Sequence, residues 1–192
     1  MNIEIKRLTP ELTEDYLHFF DTTPHSTEKA EHKCYCVCWA SVNYKDKDYS
    51  TAEQRRIVAA EYISKNNIQG YLAYYKDRVV GWCNANTKSD CYECLSWQMF
   101  MSSIKKDERK VKSVLCFAIA PEFRENGIST MLLERVCEDA GNNGFDVIEA
   151  YPNKSFVDTE QDFMGPVKLY EKCGFNACYE VNEKLVMRKC LR

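Results

Sequence analysis

The chain has 192 residues, 45% hydrophobic and 29% charged, with a formal net charge of -3. That length suits one domain with a sizeable core, and no glycine- or proline-rich linker divides residues 1–192. The near-balanced charge gives no basic field for nucleic acid, and no apolar run approaches the roughly 20 residues that a membrane span needs.

The start, Met1-Asn2-Ile3-Glu4-Ile5-Lys6, lacks the basic end and apolar stretch of a secretory signal, so a cytoplasmic location is expected. Eleven cysteines cannot all pair within one chain, and in that compartment reduced thiols are expected. Cys91-x-x-Cys94 has the spacing of two zinc ligands, with His32 or Cys34-x-Cys36-x-Cys38 as partners. The same C-x-C-x-C also reads as alternation on one strand face, and thiols lining a pocket or core are the default, so no metal is expected.

Ile3 and Ile5 alternate with polar residues and predict a first strand ending near Thr9-Pro10. Leu12, Tyr16, Phe19 and Phe20 recur at helical spacing, and Asp21-Thr22-Thr23-Pro24 ends that helix. Residues 25–49 are rich in cysteine and aromatics and show no clear period. Ser50 and Glu53 read as a capping box before a second helix that runs to about Lys65.

Residues 69–75 and 78–85 form a hairpin about Lys76-Asp77. Residues 87–112 form a long insertion whose Cys91, Trp97, Met99, Phe100 and Met101 predict folding back over the body, as a lid or as a subunit contact of a homodimer. The terminal elements are a strand at 145–151, a helix bracketed by Pro166 and Gly174, and a hairpin about Asn182-Glu183. The whole order is a mixed α/β fold with a central seven-stranded mixed sheet flanked by about four helices.

Between the insertion and the 145–151 strand lies the stretch on which the chain is organised, residues 114–130. An apolar run, Val114-Leu115-Cys116-Phe117-Ala118-Ile119-Ala120, passes through Pro121 to Arg124-Glu125-Asn126-Gly127-Ile128-Ser129 and a helix with Ile128, Leu132, Val136 and Ala140 on one face. Strand, tight turn and helix N-terminus together aim unpaired N–H groups and the positive end of a helix dipole at one spot, an anion-binding arrangement.

Arg124-x-x-Gly127-x-Ser129 resembles the Gln/Arg-x-x-Gly-x-Gly/Ala pyrophosphate signature of the GNAT superfamily of acetyl-CoA-dependent N-acetyltransferases, with serine where glycine or alanine is usual. Leu169-Tyr170-Glu171-Lys172-Cys173-Gly174-Phe175 resembles the family's Leu-Tyr-x-x-x-Gly-Phe helix ending; taken alone, it also reads as a core tyrosine before a glycine cap.

The resemblance implies a GNAT-like acyl-CoA N-acyltransferase that moves an acetyl group from acetyl-CoA to a primary amine of a small molecule or peptide. It implies that the backbone of Phe117, Ala118 and Ile119 binds the pantetheine arm, with the Ile119 amide polarising the thioester carbonyl. Arg124, Glu125, Asn126, Gly127, Ile128, Ser129 and Thr130 would hold the pyrophosphate, and Asn153 matches a polar position that touches the cofactor. Tyr170 would be the general acid for the leaving thiolate.

The base is less defined. Ser113 stands where some members have glutamate. Glu149, inside the apolar run Val147-Ile148-Glu149-Ala150-Tyr151, is the best substitute because burial would raise its pKa; the plainer reading is that it points to the sheet edge or pairs with a lysine. Glu93, Glu31 and His32 are further candidates. Acidic Glu28, Glu31 and the 158–162 loop favour a cationic amine. The rival reading is a non-catalytic acyl-CoA-binding or sensing domain.

Overall fold

The computed structural model describes residues 1–42, 44–158 and 162–192. Seven strands form one sheet in the order β1-β2-β3-β4-β5-β7-β6. They are β1 (Ile3–Arg7), β2 (Gly70–Tyr75), β3 (Arg78–Thr87), β4 (Val111–Ile119), β5 (Val147–Ala150), β6 (Asn176–Val181) and β7 (Lys184–Cys190). The β4–β5 pair is parallel, as a crossover helix requires, and the other neighbours are antiparallel.

Helices α1 (Thr13–Thr22), α2 (Ala52–Ser64), α3 (Lys88–Cys91) and α4 (Leu95–Phe100) share a core with one face of the sheet, through Tyr16, Phe19, Tyr62, Trp82 and Trp97. Helices α5 (Ile128–Asn142) and α6 (Val167–Lys172) cover the other face, where Ile128, Leu132, Leu133 and Val136 meet Ala73, Cys83 and Ala85. The two short helices α3 and α4 add to the four that the periodicity predicts. The insertion folds back over the body, with Cys91, Cys94, Trp97, Met101 and Ile104 all buried.

Local signals set most element ends. Thr51, one residue after the expected Ser50, caps α2: its hydroxyl accepts from Gln54 N at 3.1 Å, so the box is Thr51 with Gln54. α5 ends at Gly144 (φ +69°), where Phe145 N donates to Ala140 O at 3.0 Å. α6 ends the same way at Gly174 (φ +82°), with Phe175 N donating to Tyr170 O at 3.0 Å and the two rings 5.3 Å apart. The Tyr-x-x-x-Gly-Phe motif is thus a helix cap with its hydrophobic clasp.

The C-x-C-x-C segment is no strand. Tyr35 and Cys36 take left-handed φ of +44° and +49°, and Val37–Trp39 is one turn of 3-10 helix. Two side chains from other elements hold this stretch. Tyr16 donates to Tyr35 O at 2.8 Å, and the Arg55 guanidinium donates to Lys33 O at 2.7 Å, to Tyr49 O at 2.5 Å and to Glu31 O.

Candidate functional site

β4 pairs with β5 only from Val111 to Val114, opposite Val147 to Ala150. Beyond that point β4 keeps β3 as its neighbour, and the sheet opens. A cavity of about 710 Å³ follows the opening, and Phe117, Ala118 and Ile119 line it. Ala120 N donates toward β3, to Val80 O at 3.0 Å, so by strand alternation the Ile119 N–H faces the opening. The Phe117 N–H donates to Phe163 O at 2.7 Å, which docks residues 162–165 against β4 as one wall. Gly165 (φ +82°) makes that contact: a Cβ there would lie 3.2 Å from Leu169 Cδ2 and 3.4 Å from Phe117.

At one end the cavity reaches the turn before α5. Glu125 (φ +63°) and Gly127 (φ +76°) flank Asn126 in a left-handed alternation of the kind that turns successive N–H groups toward a common point. Met131 N makes the first helical bond, to Gly127 O at 3.1 Å, so the N–H groups of Ile128, Ser129 and Thr130 are the unpaired donors of the first turn. Arg124, Glu125, Gly127, Ile128, Ser129 and Thr130 all line the cavity, and a Cβ on Gly127 would meet open space. This donor set suits a diphosphate.

The other end is walled by α1 and residues 33–39. Phe19, Phe20, Cys34, Cys36, Cys38 and Trp39 line it, with Cys116 from β4, Ser96 from α4 and Phe163 opposite. Mutual contact with Cys36, together with burial, drives the Cys34 thiol well above its ordinary range, and contact with Cys116 does the same to Cys36. Burial pushes Cys38 up to about 11. No sequence period marks this wall, because Arg55 and Tyr16 shape it from a distance. His25 also lines the cavity, and the Thr27 hydroxyl joins its Nδ1 (2.9 Å) to Nδ1 of His32 (3.0 Å). No pattern pointed to His25.

Four candidate side chains do not line the cavity. Asn126 turns inward on its own loop, donating to Arg124 O at 2.9 Å. Asn153 does not itself line the cavity; it donates at 2.8 Å to Oδ1 of Asp162, which does, and accepts from Lys184 Nζ at 3.2 Å. Tyr170 is fully buried, its hydroxyl donating to Met164 O behind the wall of Gly165, Pro166 and Leu169; burial holds its pKa well above the usual phenol range.

Glu149, also fully buried, lies off the cavity. It accepts from Lys88 Nζ at 2.5 Å and from Arg188 at 2.6 Å, so the carboxylate is one member of a buried ion-pair network. Arg188 also reaches Asp107 at 3.1 Å, tying the 87–112 stretch to β5 and β7. Ser113 is likewise internal, its hydroxyl 2.6 Å from that of Tyr151.

The acidic groups expected to draw a cation are not spread over the wall. Glu28, Glu31 and Glu93 are exposed and do not line the cavity. Asp162 does line it, but its carboxylate accepts from Asn153 Nδ2, Val157 N (2.6 Å) and Asp158 N (3.1 Å). Glu160, in the same acidic loop, lies outside the described residues. Among the described residues no three His, Cys, Asp or Glu side chains are grouped to hold a metal ion.

Solved structures share this architecture over nearly the whole chain. The PaiA N-acetyltransferase from Thermoplasma acidophilum, solved with coenzyme A, is 16% identical, with 99% of each chain covered and a TM-score of 0.56. Aminoglycoside acetyltransferase AAC(6')-Ib with coenzyme A is 14% identical, with 98% of this chain and 95% of that one covered and a TM-score of 0.59. The ribosomal-protein-S18-alanine N-acetyltransferase from Escherichia coli is 11% identical, with 99% and 94% covered and a TM-score of 0.53. At such identities the likeness shows the fold alone, and no curated protein gives a significant sequence match. The sequence profile of the Acetyltransferase (GNAT) family matches residues 8–175, from the end of β1 to the Gly174-Phe175 clasp. The N–H-rich turn, opened sheet and clasp thus fall in one matched span, and the chain belongs to the GNAT acetyltransferase family.

Proposed function

We propose that this chain is an N-acetyltransferase that moves the acetyl group of acetyl-CoA directly to a primary amine of a small molecule or peptide in a ternary complex. The observation that carries the reading is continuity: one cavity joins the N–H-rich turn of Gly127, Ser129 and Thr130 to the open backbone edge of β4 and then to the wall of residues 33–39. The turn and the helix N-terminus would hold the pyrophosphate, and the β4 edge the pantetheine. In such a complex a C–N bond forms as the thioester C–S bond breaks, the amine proton passes to water, and the sulfur leaves as a thiol. The Ile119 N–H faces the opening, where it would polarise the carbonyl. Tyr170, kept protonated by burial, would supply the thiol proton on leaving Met164 O. Glu149 has no part in this scheme.

Gly127→Glu tests the donor site. The exchange adds a carboxylate where the phosphates are to lie, and a left-handed non-glycine residue costs only about 1–2 kcal/mol. Calorimetry is expected to show loss of acetyl-CoA binding by at least a hundredfold, in a protein that still unfolds cooperatively. Unchanged binding would remove the donor assignment.

A sensing domain that binds acyl-CoA without turnover is the second reading. One observation favours it: the Tyr170 hydroxyl is committed to a backbone carbonyl behind the cavity wall. Comparing Tyr170→Phe with the parent protein separates the two, since transfer predicts at least a tenfold loss of kcat at unchanged acetyl-CoA affinity.

A further inference from the structure

Building on the acetyl-transfer reading, we propose that the acceptor is a monoamine with an apolar aromatic body, of the arylalkylamine class. The wall beyond β4 is made of rings and sulfur. Phe19 and Phe20 come from α1, and Trp39 and Phe163 face each other with ring centroids 6.4 Å apart. The thiols of Cys34, Cys36, Cys38 and Cys116 line the same cavity. Sulfur at a ring edge attracts aromatic groups, and offset or edge-on ring pairs add to plain area burial. The raised thiols remain protonated at neutral pH, so they form a neutral surface and not a set of thiolates that would collect cations.

Charge points the same way. Among the described residues that line the cavity, the carboxylates are Glu125, on the phosphate turn, and Asp162, which already accepts three hydrogen bonds. Lys33 adds a positive charge to the wall, its ammonium held on Asp21 O. A polyamine or aminoglycoside would bring further ammonium groups into this region with no free carboxylate among the described lining residues to receive them, and a buried unpaired charge is costly. One amine, deprotonated for attack, on a ring-bearing body leaves no such charge behind.

The test uses the purified, reduced protein with acetyl-CoA and follows thiol release. 2-Phenylethylamine and tryptamine are compared with spermidine, kanamycin and an alanine-terminated peptide. The arylalkylamines are expected to have at least tenfold higher kcat/KM. Cys38→Asp, which sets a carboxylate in the half-buried wall, is expected to lower phenylethylamine turnover about tenfold and raise that of spermidine, with acetyl-CoA affinity unchanged. Preference of the parent protein for spermidine, kanamycin or the peptide overturns the acceptor class and leaves acetyl transfer standing. Binding of acetyl-CoA with turnover of no amine overturns both.

Discussion

The carboxylate of Glu149 has no exposure to water and neutralises two cations, Lys88 Nζ and the Arg188 guanidinium. Burial draws the Lys88 ammonium below its ordinary range even with this partner in place. Glu149→Gln would therefore leave a buried cation uncompensated, and breaking such a pair costs about 3–5 kcal/mol. Chemical denaturation is expected to show that loss, and Lys88→Met in the same chain to recover part of it. A variant of unchanged stability that had lost activity would return Glu149 to the chemistry. The apolar run around residue 149 showed that the position is buried, and the plainer sequence reading offered the sheet edge or a lysine partner. It could not show which one, because Lys88 is 61 positions away and meets Glu149 only when the 87–112 stretch folds back. Tyr170 was found through its motif, but the motif's geometry is that of a helix end clasped by Phe175.

Elements defined by their own sequence were legible, and those shaped from elsewhere were not. α5, both hairpins and the phosphate turn follow from period, glycine position and turn residues, all local signals. The cavity wall at residues 33–39 takes its shape from the side chains of α1 and α2 instead. Arg55 spans the carbonyls of Glu31, Lys33 and Tyr49, so Arg55→Met removes three charge-assisted hydrogen bonds from the 31–49 segment. A single such bond contributes roughly 1.5–3 kcal/mol, and water can replace the exposed ones, so a global loss of about 2 kcal/mol is expected. Hydrogen exchange should quicken in residues 31–49 while α5 and β4 stay protected, because opening is local to the segment that lost its clip. For an acyltransferase the matching kinetic expectation is a higher acceptor KM with unchanged acetyl-CoA affinity. Uniformly faster exchange across the sheet would show that Arg55 supports the whole core, not the loop.

At the scale of the molecule, two cores on opposite faces of one sheet take up much of the cysteine, and this sets how stability depends on pH. Eight thiols, those of Cys34, Cys36, Cys38, Cys83, Cys91, Cys94, Cys137 and Cys173, are raised above their ordinary range, with burial a cause in each. A thiol in the unfolded chain loses its proton near pH 8.5. In the folded chain Cys38 and Cys137 keep theirs to about 11 and Cys94 to about 12. Between these limits the folded state binds more protons, so the stability each thiol contributes is fully present below about pH 8.5 and is lost as pH rises through the folded value. Lysines act in the opposite direction. Burial lowers Lys112 to about 8 and also lowers Lys88 and Lys184, so they add stability as pH rises toward the ordinary lysine value. Eight thiols outweigh three lysines, and the buried tyrosines Tyr16, Tyr151 and Tyr170 join the thiols above about pH 10. The net expectation is a loss of stability as pH rises from about 7.5 to 9.5, because the unfolded thiols ionise in that interval and the folded ones do not. Urea unfolding with a phosphine reductant present, which keeps oxidation out of the comparison, is expected to show the midpoint falling steeply over that interval. A midpoint that holds or rises would mean that the thiols ionise in the folded protein much as they do in the unfolded chain, and that the sulfur-lined wall carries thiolates at alkaline pH.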